Sequence, residues 1–275
     1  MRSALTLTIA VALFASAVSA QSQASKPGSG ALAHSTQMIA VTTSDWNAVE
    51  GHLQRYERAA TNQPWHPIGQ PFSIVVGKNG LGWGIGVAAS DAPQFHAASD
   101  PIKHEGDGKG PAGIFALGTA FGDAPAPLPG LKLPYLELTP SIECVDDTNS
   151  SHYNRIVDRA TVAPGGKPDW HSSEHMRGIG EAYRWGIVVD LNGIDAHGNS
   201  SPPKPGAGSC VFLHIWHSQT QGTAGCTAMP ESNLETLLTW LDPARKPLLV
   251  QLPQQTYGRV ASQWNLPGLT SVTQP

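Results

Sequence analysis

The sequence predicts a mainly β fold, a sandwich or barrel with a few short helices and long Gly/Pro-rich loops. Three observations predict it. Short runs rich in β-branched and aromatic residues recur along the chain between turn signals. The 29 glycines and 23 prolines interrupt any long helix. Apolar residues make up 40% of the chain and 8 residues are Trp, which supplies a real core and argues against a disordered polymer.

The chain opens MRSALTLTIAVALFASAVSA. Arg2 gives a positive start, Leu5 to Val18 an apolar stretch too short to span a bilayer comfortably, and Val18 and Ala20 a small-residue cleavage pattern. Residues 1–20 are therefore expected to be an export signal, and 21–37 a polar, flexible segment. Met38–Thr43 suits a first strand. Ser44 or Asp45 offers a helix cap, and Trp46, Val49, Leu53 and Tyr56 recur at helical spacing, predicting a helix to about Ala60. Phe72–Val76 reads as a strand that turns at Lys78-Asn79-Gly80 and returns as a hairpin over Leu81–Ile85. Further strands are expected at Gly113–Leu117, Leu136–Thr139, Gly186–Leu191, Val211–Ile215 and Leu248–Leu252. A short helix is expected at Glu231–Leu241, with Leu234, Leu237, Leu238 and Leu241 on one face. Residues 38–254 thus read as one β-dominated domain, followed by a tail over 255–275.

A net charge of −4 without clustered Lys and Arg excludes bulk attraction to nucleic acid or anionic lipid. No stretch after the signal is long and apolar enough for a membrane span. The three cysteines are Cys144, Cys210 and Cys226. An odd number in an exported chain invites one disulfide and one free thiol. Pairing of Cys144 with Cys210 would leave Cys226 reactive; the alternative is three buried small hydrophobes.

The sharpest local feature is Ser209-Cys-Val-Phe-Leu-His-Ile-Trp-His217, then a short loop, then Thr223-Ala-Gly-Cys-Thr-Ala-Met229 ahead of the predicted helix. A thiol nucleophile needs a base, backbone N–H groups aimed at the developing oxyanion, and access. Gly225 allows a tight bend at Cys226, and His214 ends a strand only 12 residues upstream. A zinc site from His214, His217 and Cys226 is disfavoured, because residues i and i+3 on a strand face opposite ways. No metal or cofactor is expected. Ser209 lacks a Gly-x-Ser-x-Gly elbow, so serine hydrolysis is disfavoured.

These residues resemble the catalytic core of the L,D-transpeptidase (YkuD) family. That family carries a strand His followed by Ser/Thr-x-Gly-Cys, here His214 and Thr223-Ala224-Gly225-Cys226. The segments KHEGDGKGPAGIFALGTAFG (103–122) and VDDTNSSHYNRIVD (145–158) resemble two further stretches of the family, so the likeness spans roughly 100 to 253. The resemblance implies a β-rich cysteine enzyme of the bacterial cell envelope or periplasm acting on peptidoglycan stem peptides. Cys226 would be the nucleophile, His214 the base oriented by the Ile215 carbonyl, and the Gly225 and Cys226 N–H groups the oxyanion donors. Thr223, Ala224, His217 and Lys103 would meet substrate. Ala224 stands where many members have His, and Thr227-Ala228 where many have Arg or Asn, which bears on substrate contacts and acyl-acceptor choice. An L,D-carboxypeptidase or amidase using the same Cys-His pair, and a wall-binding module without turnover, are the competing expectations. Asp107, Tyr153 and Asn154 are expected to be structural, and Arg177 and Arg184 are not distinguished from surface arginines.

Overall fold

The structure, a computed structural model, describes residues 32–87, 93–193 and 202–269. The expected signal (1–20) and residues 21–31 lie outside the described residues. The chain is mainly β. The first half supplies β1 (Gln37–Thr43), β2 (Glu50–Glu57), β3 (His66–Val75), β4 (Leu81–Trp83), β5 (Gly110–Gly122) and β6 (Tyr135–Glu137). A small separate sheet is built from β7 (Ile142–Val145), β8 (Arg155–Asp158) and β9 (Ser173–His175). The large sheet is completed by β10 (Trp185–Val189), β11 (Phe212–Ile215), β12 (Thr227–Met229) and β13 (Leu248–Pro253). Three helices are α1 (Arg159–Val162), α2 (Glu231–Trp240) and α3 (Gln254–Trp264).

Eight strands close on themselves in the order β10, β11, β12, β3, β2, β1, β13, β5 and back to β10. The long strand β5 makes closure possible. Its Gly113–Ala116 stretch pairs with β13 and its Leu117–Gly122 stretch with β10, while β4 and β6 flank its two ends. A closed ring leaves few open edges for unwanted pairing. The strands predicted near Gly113, Leu136, Gly186, Val211 and Leu248, and the helix with its four leucines, form where the apolar pattern places them. Leu234, Leu237, Leu238 and Leu241 are fully buried.

Four expectations fail for identifiable reasons. The helix expected over 45–60 is a loop and β2. Leu53 and Tyr56, three residues apart, point to opposite faces of that strand, yet both are buried because both faces are covered. A spacing of three then imitates a helix. The capping signal was real but local: Asp45 accepts from the N–H groups of Asn47 and Ala48 within a turn. The hairpin over 72–85 does not form, because β3 is already paired on both sides, by β2 and β12. The turn at Gly80 (φ +77°) carries the chain instead to β4, which runs parallel to β5. The flexible segment ends earlier than expected. Leu32 is buried, and Arg58 donates to the Leu32 and Ser35 carbonyls. The expected tail begins with α3, which buries Tyr257, Val260 and Trp264 against the core.

Near β10, β11 and β12 the barrel wall is buried on both sides. Ile187, Val189, Leu213 and Met229 join the main core, whereas Val188, Phe212 and Cys226 join a second cluster with Phe121, Met176 and Tyr183. The small sheet and the 3₁₀ segment Met176–Tyr183 lie over this outer face. A disulfide between Cys144 on β7 and Cys210, just before β11, fastens that cover to the barrel. Among the described residues no helix is long and apolar enough to cross a membrane.

Candidate active site

β11 places His214 between Gly186 of β10 and Ala228 of β12. Cys226 lies two residues before Ala228, so strand alternation turns both side chains to the same face as His214. The two meet there in one cavity of about 290 Å³, lined also by Glu174, Tyr183, Trp216 and Thr223. Ile179, His217, Gln221 and Ala224 line its mouth and are exposed, so the cavity opens to solvent.

His214 itself is only 7% exposed. Its Nδ1 lies 2.8 Å from the Ile215 carbonyl. A carbonyl only accepts, so Nδ1 carries the hydrogen and Nε2 keeps the lone pair. Burial lowers the imidazole pKa to about 4, against the Ile215 carbonyl and with help from the charge of His217. The ring is therefore neutral at neutral pH, the form that can accept a proton.

Cys226 is the free cysteine, and it is buried. Burial, followed by the negative charge of Glu174, pushes its thiol up to about 12; the Phe212 N–H, the Tyr183 hydroxyl and the Lys103 charge pull the other way. The resting thiol is protonated. Its sulfur accepts from the Phe212 N–H at 3.3 Å and faces the Cys210 carbonyl at 3.7 Å. The Tyr183 hydroxyl lines the same cavity and donates to Glu174, and among the described residues no hydrogen bond joins the Cys226 sulfur to His214.

The turn before Cys226 is tied by Thr223, whose Oγ1 donates to the Cys226 carbonyl (2.6 Å) and accepts from the Gly225 N–H (3.1 Å). That bond occupies one of the two N–H groups expected to form an oxyanion hole. Gly225 is required for close approach rather than for an unusual dihedral: a Cβ there would stand 3.1 Å from the Lys109 carbonyl. Thr223, Ala224 and His217 line the cavity with Cys226. Lys103 does not meet substrate at a rim. It is 4% exposed, and its Nζ bonds the Asp107 carboxylate (2.6 Å) and the His104 carbonyl (2.8 Å) behind the Gly225 turn. Asp107 also accepts from the N–H groups of His104 and Lys109, so it organises the Gly-rich segment. Burial alone would raise its carboxyl, but Lys103 and these N–H groups outweigh burial and hold it below the usual range. Asn154 braces the disulfide loop by accepting from the Cys210 N–H. Arg177 bonds the Asp123 and Leu138 carbonyls and Arg184 pairs with Glu181 and Glu231, so neither lines the cavity.

Comparison with models of known families, with curated proteins and with solved structures returns no match. The site therefore rests on its own geometry.

Two of its residues were invisible to sequence reasoning. Tyr183 closes the 3₁₀ segment, and its hydroxyl donates to Glu174 on β9 at 2.8 Å. Its ring packs edge-on against His214, with centroids 5.3 Å apart. Burial, then the charges of Asp146 and Glu105, raises the Glu174 carboxyl to about 7, against the Tyr183 hydrogen bond. Neither residue belongs to a periodic pattern or a motif, so no local signal could have found them.

Glu174 and His214 also predict how stability depends on pH. A carboxyl raised from 4.5 to about 7 binds more protons folded than unfolded, so its contribution falls as pH rises through that window. A buried His lowered from 6.5 to about 4 does the reverse, and its contribution falls as pH drops through 6.5 to 4. The two slopes oppose each other. Glu174→Gln should remove the first, stabilising the protein relative to wild type by about 3 kcal/mol more at pH 8 than at pH 4. Urea unfolding at both pH values measures this, and an equal difference at the two pH values would contradict it.

Proposed function

We propose that this protein is an exported cysteine acyltransferase that acts on peptidoglycan stem peptides as an L,D-transpeptidase in the cell envelope or periplasm. The observation that carries the reading is the shared cavity: a free thiol just before β12 and a neutral imidazole on the neighbouring β11, its Nε2 unprotonated, behind a solvent-open mouth. The disulfide between Cys144 and Cys210 agrees with an oxidising compartment. The resemblance of His214 and Thr223-Ala224-Gly225-Cys226 to the L,D-transpeptidase pattern supplies the substrate class.

In this reading the Cys226 sulfur attacks the carbonyl of the stem residue that precedes the terminal D-Ala. The amine of D-Ala leaves with a proton, and the acyl group remains on sulfur as a thioester. An acceptor amine then attacks the thioester, the C–S bond breaks as the new amide forms, and His214 Nε2 takes the amine proton and passes it to the departing Cys226 sulfur. Incubating the mature protein with a stem tetrapeptide tests the reaction. With an added amine the expected product is the amide adduct; tripeptide alone at saturating amine would replace transfer by hydrolysis, the carboxypeptidase alternative.

A second reading has one observation in its favour. The Cys226 thiol is buried and pushed up to about 12, as expected of a wall-binding module that keeps the fold without turnover. That reading requires Cys226 to resist both iodoacetamide and acylation.

A further inference from the structure

Among the described residues, Glu174 on β9 is the one carboxylate that lines the Cys226 cavity. A covalent frame sets it beside the sulfur. Glu174 pairs in register with Cys144, Cys144 is bridged to Cys210, and the Cys210 carbonyl faces Cys226 Sγ at 3.7 Å. The Tyr183 hydroxyl donates to Oε2 at 2.8 Å and orients the carboxylate. Among the described residues nothing donates to Oε1, and no Lys, Arg or His is ion-paired with Glu174. A carboxylate drawn out of water is normally paired with a cation or fully hydrogen-bonded. Here one oxygen is left for a ligand. The cavity also presents Ile179, Ala182, Trp216 and Ala228, apolar surfaces along which an alkyl chain can lie. We propose that Glu174 Oε1 is the acceptor-binding group of this cavity, and that it selects a primary amine on an alkyl chain over water as the partner of the thioester. The inference rests on the reading of Cys226 as the nucleophile that carries the acyl group.

An alkylammonium supplies the cation that Glu174 lacks, and a charge-assisted N–H···O bond holds its nitrogen in the cavity that holds the thioester. Water is uncharged and gains no ion pair there. Asp146 directly follows β7, where Val145 pairs with Ser173, and its negative charge beside Glu174 favours a cationic ligand over an anionic one. Attack requires the neutral amine, so one ammonium proton first leaves to water through the open mouth. A remaining N–H still donates to Oε1, which turns the nitrogen lone pair away from the carboxylate. When the C–N bond forms, the second proton follows His214 Nε2 to the departing sulfur. One ammonium and one thioester thus give one amide, one thiol and one released proton.

The test is how the acyl-enzyme formed from a stem tetrapeptide divides between amide and tripeptide, a ratio that does not depend on how fast the acyl-enzyme forms. It is measured at pH 8, where the Glu174 carboxyl, raised to about 7 by burial, is ionised. With n-butylammonium chloride as acceptor, Glu174→Gln, which keeps the side chain's size and an oxygen for Tyr183, should lower the amide-to-tripeptide ratio at least about tenfold. With hydroxylamine, an amine uncharged at this pH, the ratio should change little. Equal losses with both acceptors would make Glu174 merely structural and overturn the assignment. Titration of n-butylammonium and of n-butanol into the resting protein, followed by ligand NMR, needs no turnover. Wild type should bind the ammonium at least about tenfold more tightly than Glu174→Gln, and the alcohol equally. Equal ammonium affinity in the two proteins overturns the proposal. Acyl-enzyme without discrimination between acceptors leaves the transpeptidase reading standing and sinks the ammonium site; selective ammonium binding without acyl-enzyme does the reverse.

Discussion

Cys226→Ala should abolish covalent capture of a carbapenem, an acylating mimic of the donor peptide. The wild-type protein should gain the mass of one ligand, and the variant none. The effect is expected to be complete because no second sulfur can substitute. Cys144 and Cys210 are joined in a disulfide, and Cys226 is the free thiol. The variant should also fold, since Ala fills most of a Cys site and the sulfur makes only weak hydrogen bonds here. Thermal unfolding monitored beside the mass measurement separates lost chemistry from lost structure. A ligand adduct on a folded Cys226→Ala protein would remove the enzymatic proposal altogether.

Removing the disulfide should have the largest effect on stability. The bridge joins residues 66 apart, and a loop of that size confines the unfolded chain by about 4 kcal/mol. For a protein of this size the double variant Cys144→Ala/Cys210→Ala should melt roughly 10 °C lower. Reductant should lower the melting temperature of wild type and leave the variant unchanged. Peptide mapping without reduction should recover the Cys144–Cys210 pair; a bridge to Cys226 would count against catalysis. Function should suffer too. β7 carries Cys144 and pairs with β9, which carries Glu174, while Cys210 presents its carbonyl to the Cys226 sulfur. Loosening the bridge therefore disturbs the thiol from two sides, and acylation should slow even well below the new melting temperature. An unchanged melting temperature would mean that packing alone holds the small sheet in place.

The elements legible in the sequence are those whose burial pattern is local. The strands Trp185–Val189 and Leu248–Pro253 are legible because both faces are buried, which leaves short apolar runs (Ile187–Val189 and Leu248–Val250) in place of strict alternation. The helix at 231 is legible because its leucines repeat on one face against the barrel. The pairing of Glu174 with Tyr183 is not legible, since nothing in either residue's neighbourhood announces a partner. The same holds for Lys103. A lysine in a Gly-rich stretch reads as a surface charge, and the Asp107 carboxylate and the His104 carbonyl that its ammonium bonds are what make its burial tolerable.

By itself the sequence determined several of the barrel strands, where the leucine-faced helix would lie, and that a strand histidine precedes a Gly-Cys turn. These follow from side-chain alternation and backbone preference over a few consecutive residues. Tertiary structure decided which strands are neighbours, turning an apparent helix into β2 and an apparent hairpin into a parallel pair with β5. It also decided what surrounds the thiol. Ring closure brings residues from β9, β11, β12 and the 3₁₀ segment to one cavity, and the burial and charges found there decide which groups hold protons.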